Sequence, residues 1–227
     1  MNEARRVFNY FTNNLDRIYG YTMEHLILIA IAISLSVVLW VSLGVLLRNN
    51  KKMANGVMGV GSFVMSVPSV ALYGILISIP GLGLSRQSAV LALVLYSMLP
   101  ILRNVYVALN EVDKNILEAA KGMGMSETQI LRKVQLPLAL PVILAGVRVA
   151  TVMMVGIGTL AVYIGERNLG VLIEQGLTRS RSDMIITGAL LVTVFVVIID
   201  FFIGWLEKTV VSKGIQSEEV SQSGGEN

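Results

Sequence analysis

Apolar runs of 20 residues and more, broken by short polar stretches, set the pattern of this chain. A hydrocarbon core of ~30 Å needs about 20 helical residues at ~1.5 Å each. Five stretches meet that need: Leu26–Leu47, Met53–Ser85 with its crossing between Val57 and Ile79, Ser88–Ala108, Leu138–Tyr163 and Met184–Leu206. Pro80, Gly81 and Gly83 predict a turn after the second, and Pro68 within it predicts a kink that frees carbonyls near Ser66 and Ser69. Before the first span, Phe8, Phe11, Leu15 and Ile18 recur at helical spacing among polar neighbours, the pattern of an amphipathic helix lying in an interface or on a surface. The expected organisation is an extracytoplasmic amphipathic segment over 1–25, a transmembrane domain over 26–213, and a disordered tail over 214–227.

Composition agrees with a polytopic, all-α membrane protein: 54% of the 227 residues are hydrophobic and only 15% charged. Cysteine is absent and His25 is the single histidine, so neither thiolate nor histidine-rich metal sites are available. A net charge of +3 does not suggest nucleic acid, but its placement bears on orientation. Arg48, Lys51 and Lys52 follow the first span closely, whereas Arg17 before it is balanced by Asp16 and Glu24. The positive-inside rule then puts the N-terminus outside the cell membrane and, after five spans, the C-terminus inside. Arg167, Arg179 and Arg181 run against that count.

One polar island interrupts the apolar pattern, over residues 109–137, and the same rule makes it cytoplasmic. Asp113 is placed to cap a short helix carrying Ile116, Leu117, Ala119, Ala120 and Met123, while Gly122 and Gly124 offer the left-handed conformation that ends helices. Ser126 with Gln129 fits a capping box starting a second helix, which Leu136-Pro137 is expected to close before the fourth span. The alanines leave one face open to another protein's backbone, and Glu118 supplies a directed charge; a loop resting on headgroups fits the spacing equally well.

The motif Glu118-Ala119-Ala120, three residues, Gly124, nine residues, then Val134-Gln135-Leu136-Pro137 resembles the EAA motif of permease subunits of ABC importers, with Val134 where isoleucine is usual. The stretches Val67-Pro68-Ser69-Val70-Ala71-Leu72, Tyr96-Ser97-Met98-Leu99-Pro100-Ile101-Leu102-Arg103-Asn104 and Leu136-Pro137-Leu138-Ala139-Leu140-Pro141-Val142-Ile143 resemble the branch importing glycine betaine, carnitine and choline. The resemblance covers residues 24–213. It implies a pair of permease subunits, identical or related, two cytoplasmic ATPases that bind ATP and Mg, and an extracytoplasmic substrate-binding protein. By resemblance Glu118, Ala119, Ala120, Gly124, Leu136 and Pro137 couple to the ATPase, and a bulky residue at Ala120 is expected to block docking while the spans persist. Where these permeases carry Gly-Ala-Gly-Gly-Leu-Gly after the fourth span, this chain has Gly165-Glu166-Arg167-Asn168-Leu169-Gly170, so no role transfers to that loop.

Within the spans, Ser66, Pro68, Ser69 and Arg148 are the candidates for a translocation pathway. A charge at the depth of Arg148 costs roughly 2.5 to 3.5 kcal/mol on insertion scales unless it meets protein or water, and pore-facing and structural readings both satisfy that. Asp200 reads as reaching headgroups or a neighbouring helix. The tyrosines Tyr73, Tyr96, Tyr106 and Tyr163 read as packing residues, and so do Gly146, Ala150 and the Gly156–Ala161 stretch, in keeping with close helix contact. Two rival classes remain distinguishable. An ion-coupled transporter calls for more intramembrane carboxylate than Asp200 supplies, and a membrane enzyme calls for a nucleophile or metal set that the chain lacks. A permease for another small solute, such as an amino acid, stays open.

Overall fold

Helix α5, Arg86–Asn110, is the post around which the other elements are arranged, and its sequence accounts for that position. Apolar and small residues run round its whole circumference, and Ala89, Ala92, Leu93, Ile101 and Val105 are completely withdrawn from the surface. The computed structural model describes residues 2–210. They are all-α: α1 (Glu3–Asn13), α2 (Leu15–Leu47), α3 (Lys51–Ser66), α4 (Ser69–Ile77), α5, α6 (Lys114–Gly122), α7 (Glu127–Ile164), α8 (Gly170–Thr178) and α9 (Ser182–Val210). Lys213 and the tail 214–227 lie outside the described residues.

Four helices, α2, α5, α7 and the Ser182–Leu206 stretch of α9, are long and apolar enough to cross a membrane. The pair α3 and α4 makes a fifth crossing if it is counted as one broken span. Its break is sharper than the expected kink: the axes turn by 101°. Val67 is extended (φ −73°, ψ 129°), the conformation a following proline favours, and the Pro68 carbonyl then accepts from Leu72 N at 3.0 Å to restart the helix. The Tyr96 hydroxyl of α5 donates to the stranded Val67 carbonyl, so the break is satisfied from outside.

The helix that carries the first span starts earlier than the apolar run does. α2 is one helix of 33 residues from Leu15, so the boundary expected at residue 25 falls inside it. Its Glu24 is tolerated because it meets Arg86, and His25 is fully buried against Phe195 with ring centroids 5.3 Å apart. A turn of π-helix, Val37–Val41, interrupts its regular pitch.

Close approach of α5 and α7 rests on Gly146. A Cβ there would stand 2.6 Å from Asn104 Cβ, and Ala150 one turn on is fully buried. Asn104 is itself fixed, since its Nδ2 donates at 2.7 Å to the Pro100 carbonyl one turn back in its own helix. Of the Gly156–Ala161 stretch, Gly158 packs on Ile29 and His25, whereas Gly156 faces open space.

Candidate functional site

The polar hairpin between α5 and the body of α7 is built from strictly local signals. Asp113 Oδ1 accepts from Asn115 N at 2.8 Å and starts α6. α6 ends in a Schellman arrangement: Met125 N donates to Ala120 O at 3.2 Å and Gly124 N to Lys121 O at 2.9 Å, with Gly124 at φ +77°. Ser126 then caps α7 in a reciprocal box, its N–H donating to Gln129 Oε1 at 2.8 Å and its Oγ accepting from Gln129 N at 3.4 Å. A groove of about 210 Å³, lined by residues that include Arg48, Asn49, Leu117, Lys121 and Glu127, separates the hairpin from the end of α2.

The two alanines have different surroundings. Ala120 is only 2% exposed, and Ile130 on the hairpin's second arm 5%, so a large residue at Ala120 would disturb the packing around it before it met a partner. The expected docking test at Ala120 is therefore misplaced. Glu118 and Ala119 face outward, and Ile116, Ala119 and Met123 follow one another at helical spacing on the exposed side, Met123 being 75% exposed. Gly124 closes the helix beneath them.

Leu136 and Pro137 do not end the second helix. α7 runs unbroken for 38 residues from Glu127 to Ile164. In a regular α-turn the Pro137 ring would press on the Lys133 carbonyl, and a π-helical turn over Leu131–Gln135 widens the backbone there. The hairpin's second arm and the membrane span are thus one rigid element.

Of the pathway candidates, Ser66 and Pro68 are exposed and Ser69 half-buried at the α3–α4 break, and Ser66 Oγ is turned back onto Ser62 O at 2.9 Å. Arg148 is engaged elsewhere. Its Nε and Nη2 reach Asp200 Oδ1 and Oδ2 of α9 at 2.5 and 2.6 Å, a bidentate pair between two spans, with Gly204 leaving room for the guanidinium. One signal for this pair lies in the sequence: α7 and α9 are joined through the 165–181 connection that contains α8, and the two opposite charges lie at similar distances along the chain from its two ends.

The loop that departs from the resembled pattern proves well anchored. Arg86 Nε reaches Glu166 Oε1 at 2.7 Å while its Nη2 pairs with Glu24, so one arginine ties α2, α5 and the corner after α7 together. Arg167 lies over the Tyr21 ring at 5.8 Å. Asn168, fully buried, donates to Gly158 O at 3.0 Å and accepts from Gly170 N at 2.7 Å. Gly170 has no room for a side chain, because a Cβ would lie 2.0 Å from Thr159 O. Gly170→Ala is expected to destabilise the protein by about 1–3 kcal/mol or more, read as a lowered thermal midpoint in detergent. The Glu24–Arg86–Glu166 cluster escapes sequence reasoning because its members are 62 and 80 positions apart along the chain.

Comparison with known proteins agrees with this architecture. Residues 34–212 match the family described as binding-protein-dependent transport system inner membrane component. The glycine betaine/carnitine/choline transport system permease protein OpuCB of Bacillus subtilis is 42% identical over 211 residues, 92% of this chain and 96% of that protein. The osmoprotectant import permease protein OsmW of Salmonella typhimurium is 37% identical over 92% of this chain and 98% of its own length. Among solved structures, an inward-facing form of the MetNI methionine ABC transporter superposes with a TM-score of 0.77 at 24% identity, covering 88% of this chain and 99% of that one, which speaks to the fold alone. A chain whose spans, length and sequence all correspond to those relatives is a multi-pass membrane permease subunit, a member of the binding-protein-dependent transport system inner membrane component family.

Proposed function

We propose that this chain is the membrane-spanning subunit of an ATP-driven importer for a quaternary-ammonium osmoprotectant such as glycine betaine, carnitine or choline. The solute class rests on relatives at 37–42% identity that are named for those solutes or for osmoprotectants and match over nearly the whole chain. An extracytoplasmic binding protein delivers the solute, and a second permease subunit, a copy or a relative, completes the pore. ATP and Mg are bound, and ATP hydrolysed, by separate cytoplasmic subunits.

The observation that carries the coupling is the unbroken course of α7. Its first turns form one arm of the capped hairpin, and its remainder is the fourth span, so a partner that moves the exposed Ile116, Ala119 and Met123 face moves the span as a rigid body. Glu118 offers that partner a charge. The break at Val67–Pro68, with Ser66 and Ser69 on either side, is the element of this chain that we place on the pathway; Arg148 we assign to holding α7 against α9. Asp200, held by Arg148 in a bidentate pair, is poorly placed to carry protons, which argues against ion coupling.

The sidedness of the hairpin is tested in the chain itself. Because the protein has no cysteine, Ser126→Cys supplies a single thiol at the exposed cap. A membrane-impermeant maleimide applied to intact cells is expected to leave it unmodified and to label it fully after permeabilisation. Labelling in intact cells would reverse the orientation and end the coupling proposal. For the function as a whole, the chain is co-reconstituted with its ATPase and binding protein. Uptake of labelled glycine betaine is expected to stop on ATP depletion and to survive an uncoupler, and the opposite result would point to a secondary transporter.

A further inference from the structure

At the end of the molecule where α2 and α9 begin, a cavity of about 520 Å³ opens between α1, the first turn of α2 and the turn joining α8 to α9. Arg6, Arg17, Arg179 and Arg181 line it. Asp183 is the one carboxylate among the lining residues, and it is bonded to Arg181, whose Nε lies 3.1 Å from Asp183 Oδ1. Arg181 is further fixed over the buried Tyr10 ring, 5.3 Å from its centroid. The lining thus has three cationic charges in excess of its single anion. Between Arg179 and Arg181 stands Ser180, at φ +52° the one non-glycine residue with positive φ among the described residues, so the turn holds its two arginines in a conformation that a bulky residue disfavours.

The other side of the α1–α9 contact gives the cavity its depth in a membrane. There an apolar cleft of about 740 Å³ is formed by Val7, Phe8 and Phe11 of α1 with Ile186, Leu190 and Val194, successive turns of α9. α1 therefore presents one edge to hydrocarbon and the other to the arginines. That is the posture of a helix lying at the boundary between headgroups and acyl chains, and Phe8, 66% exposed, is an apolar group such a boundary would take up. The cavity also lies where α2 and α9, both long and apolar enough to cross a membrane, begin, the end at which a span meets the headgroups. Arg179 and Arg181, which run against the positive-inside count, thereby fall together in one place.

We propose that this cavity is a binding site for the phosphate group of an anionic phospholipid of the adjoining leaflet. Guanidinium forks match phosphate oxygens in pairs, and Asn9 and Asn13 add neutral groups at the same rim, where the Ser182 hydroxyl is held by Glu3 Oε1 at 3.1 Å. The inference does not depend on the transported solute or on which face of the membrane the cavity occupies.

The lipid readout uses the purified full-length chain alone, and binding of the solute-loaded binding protein is measured beside it as a control. The protein is exchanged into nanodiscs of phosphatidylcholine containing a minor fraction of phosphatidylglycerol, and the lipids that stay with it after release into mild detergent are counted by native mass spectrometry. The wild type is expected to retain phosphatidylglycerol selectively. R17Q/R179Q is expected to lose that retention by on the order of tenfold, in keeping with two cations removed from a phosphate-bearing surface, while Arg5→Gln, outside the cavity lining, leaves it intact. Should the double variant prove unstable, Arg17→Gln and Arg179→Gln singly read the same loss at smaller size. Equal retention of both lipids by the wild type, or unchanged retention in the variants, overturns the proposal. Displacement of the lipid by millimolar inorganic phosphate assigns the cavity to a free anion and overturns it too. So does a variant that keeps its lipid but no longer binds the solute-loaded binding protein, since the arginines would then serve a protein surface.

Discussion

Replacing Ala119 with tryptophan is expected to reduce ATP hydrolysis stimulated by solute-loaded binding protein to its unstimulated level, while the chain still inserts and retains its thermal midpoint. Ala119 faces outward between Ile116 and Met123, so a large ring there fills space that an approaching backbone must enter. The same substitution at Ala120 has a different expected result. With 2% of its surface exposed, Ala120 leaves no space for a ring, and overpacking of this kind costs about 1–3 kcal/mol. The Ala120→Trp variant should lose the hairpin's protection from proteolysis together with coupling. The pair of variants separates docking from folding: unchanged stimulation in Ala119→Trp would remove α6 as the contact, whatever happens at Ala120.

Arg148→Leu is expected to lower the yield of folded protein several-fold, and more than the double change Arg148→Leu/Asp200→Leu does. The bidentate pair neutralises two charges within the membrane-spanning region of α7 and α9, and deleting one member strands the other beside lipid, whereas deleting both leaves two apolar helices in contact. Asp200→Leu alone should resemble Arg148→Leu. A double variant as impaired as either single one, read by fluorescence-detected size exclusion, would mean that Arg148 acts through something other than Asp200.

What could be read from the sequence was what neighbouring residues decide among themselves. Asp113, Gly124 and the Ser126–Gln129 box each act over two to five positions, and all three form as the residue types predict. The apolar runs likewise fall on the four helices long and apolar enough to cross a membrane and on the bent α3–α4 pair, because hydrocarbon sets the length such a run needs. Errors arose where a distant residue changes the local balance. The expected boundary at residue 25 falls within one continuous helix, where the half-buried Glu24 is met by Arg86. Pro68 looked like a kink and is a full break because Tyr96, 29 positions away, satisfies Val67. Pro137 looked like a helix end, yet one wide turn admits it. Ala119 and Ala120, adjacent and identical, could not be told apart until the hairpin's second arm showed which one it covers.

Gly146 lies at the midpoint of α7, where its bare backbone rests on Asn104. A 38-residue helix is ~57 Å long, and a contact halfway along it with no side chain to interdigitate is a fulcrum. A tilt about that point would carry a sideways push at the Glu127 end to the Ile164 end with its direction reversed, and the Arg148–Asp200 pair would draw α9 along with it.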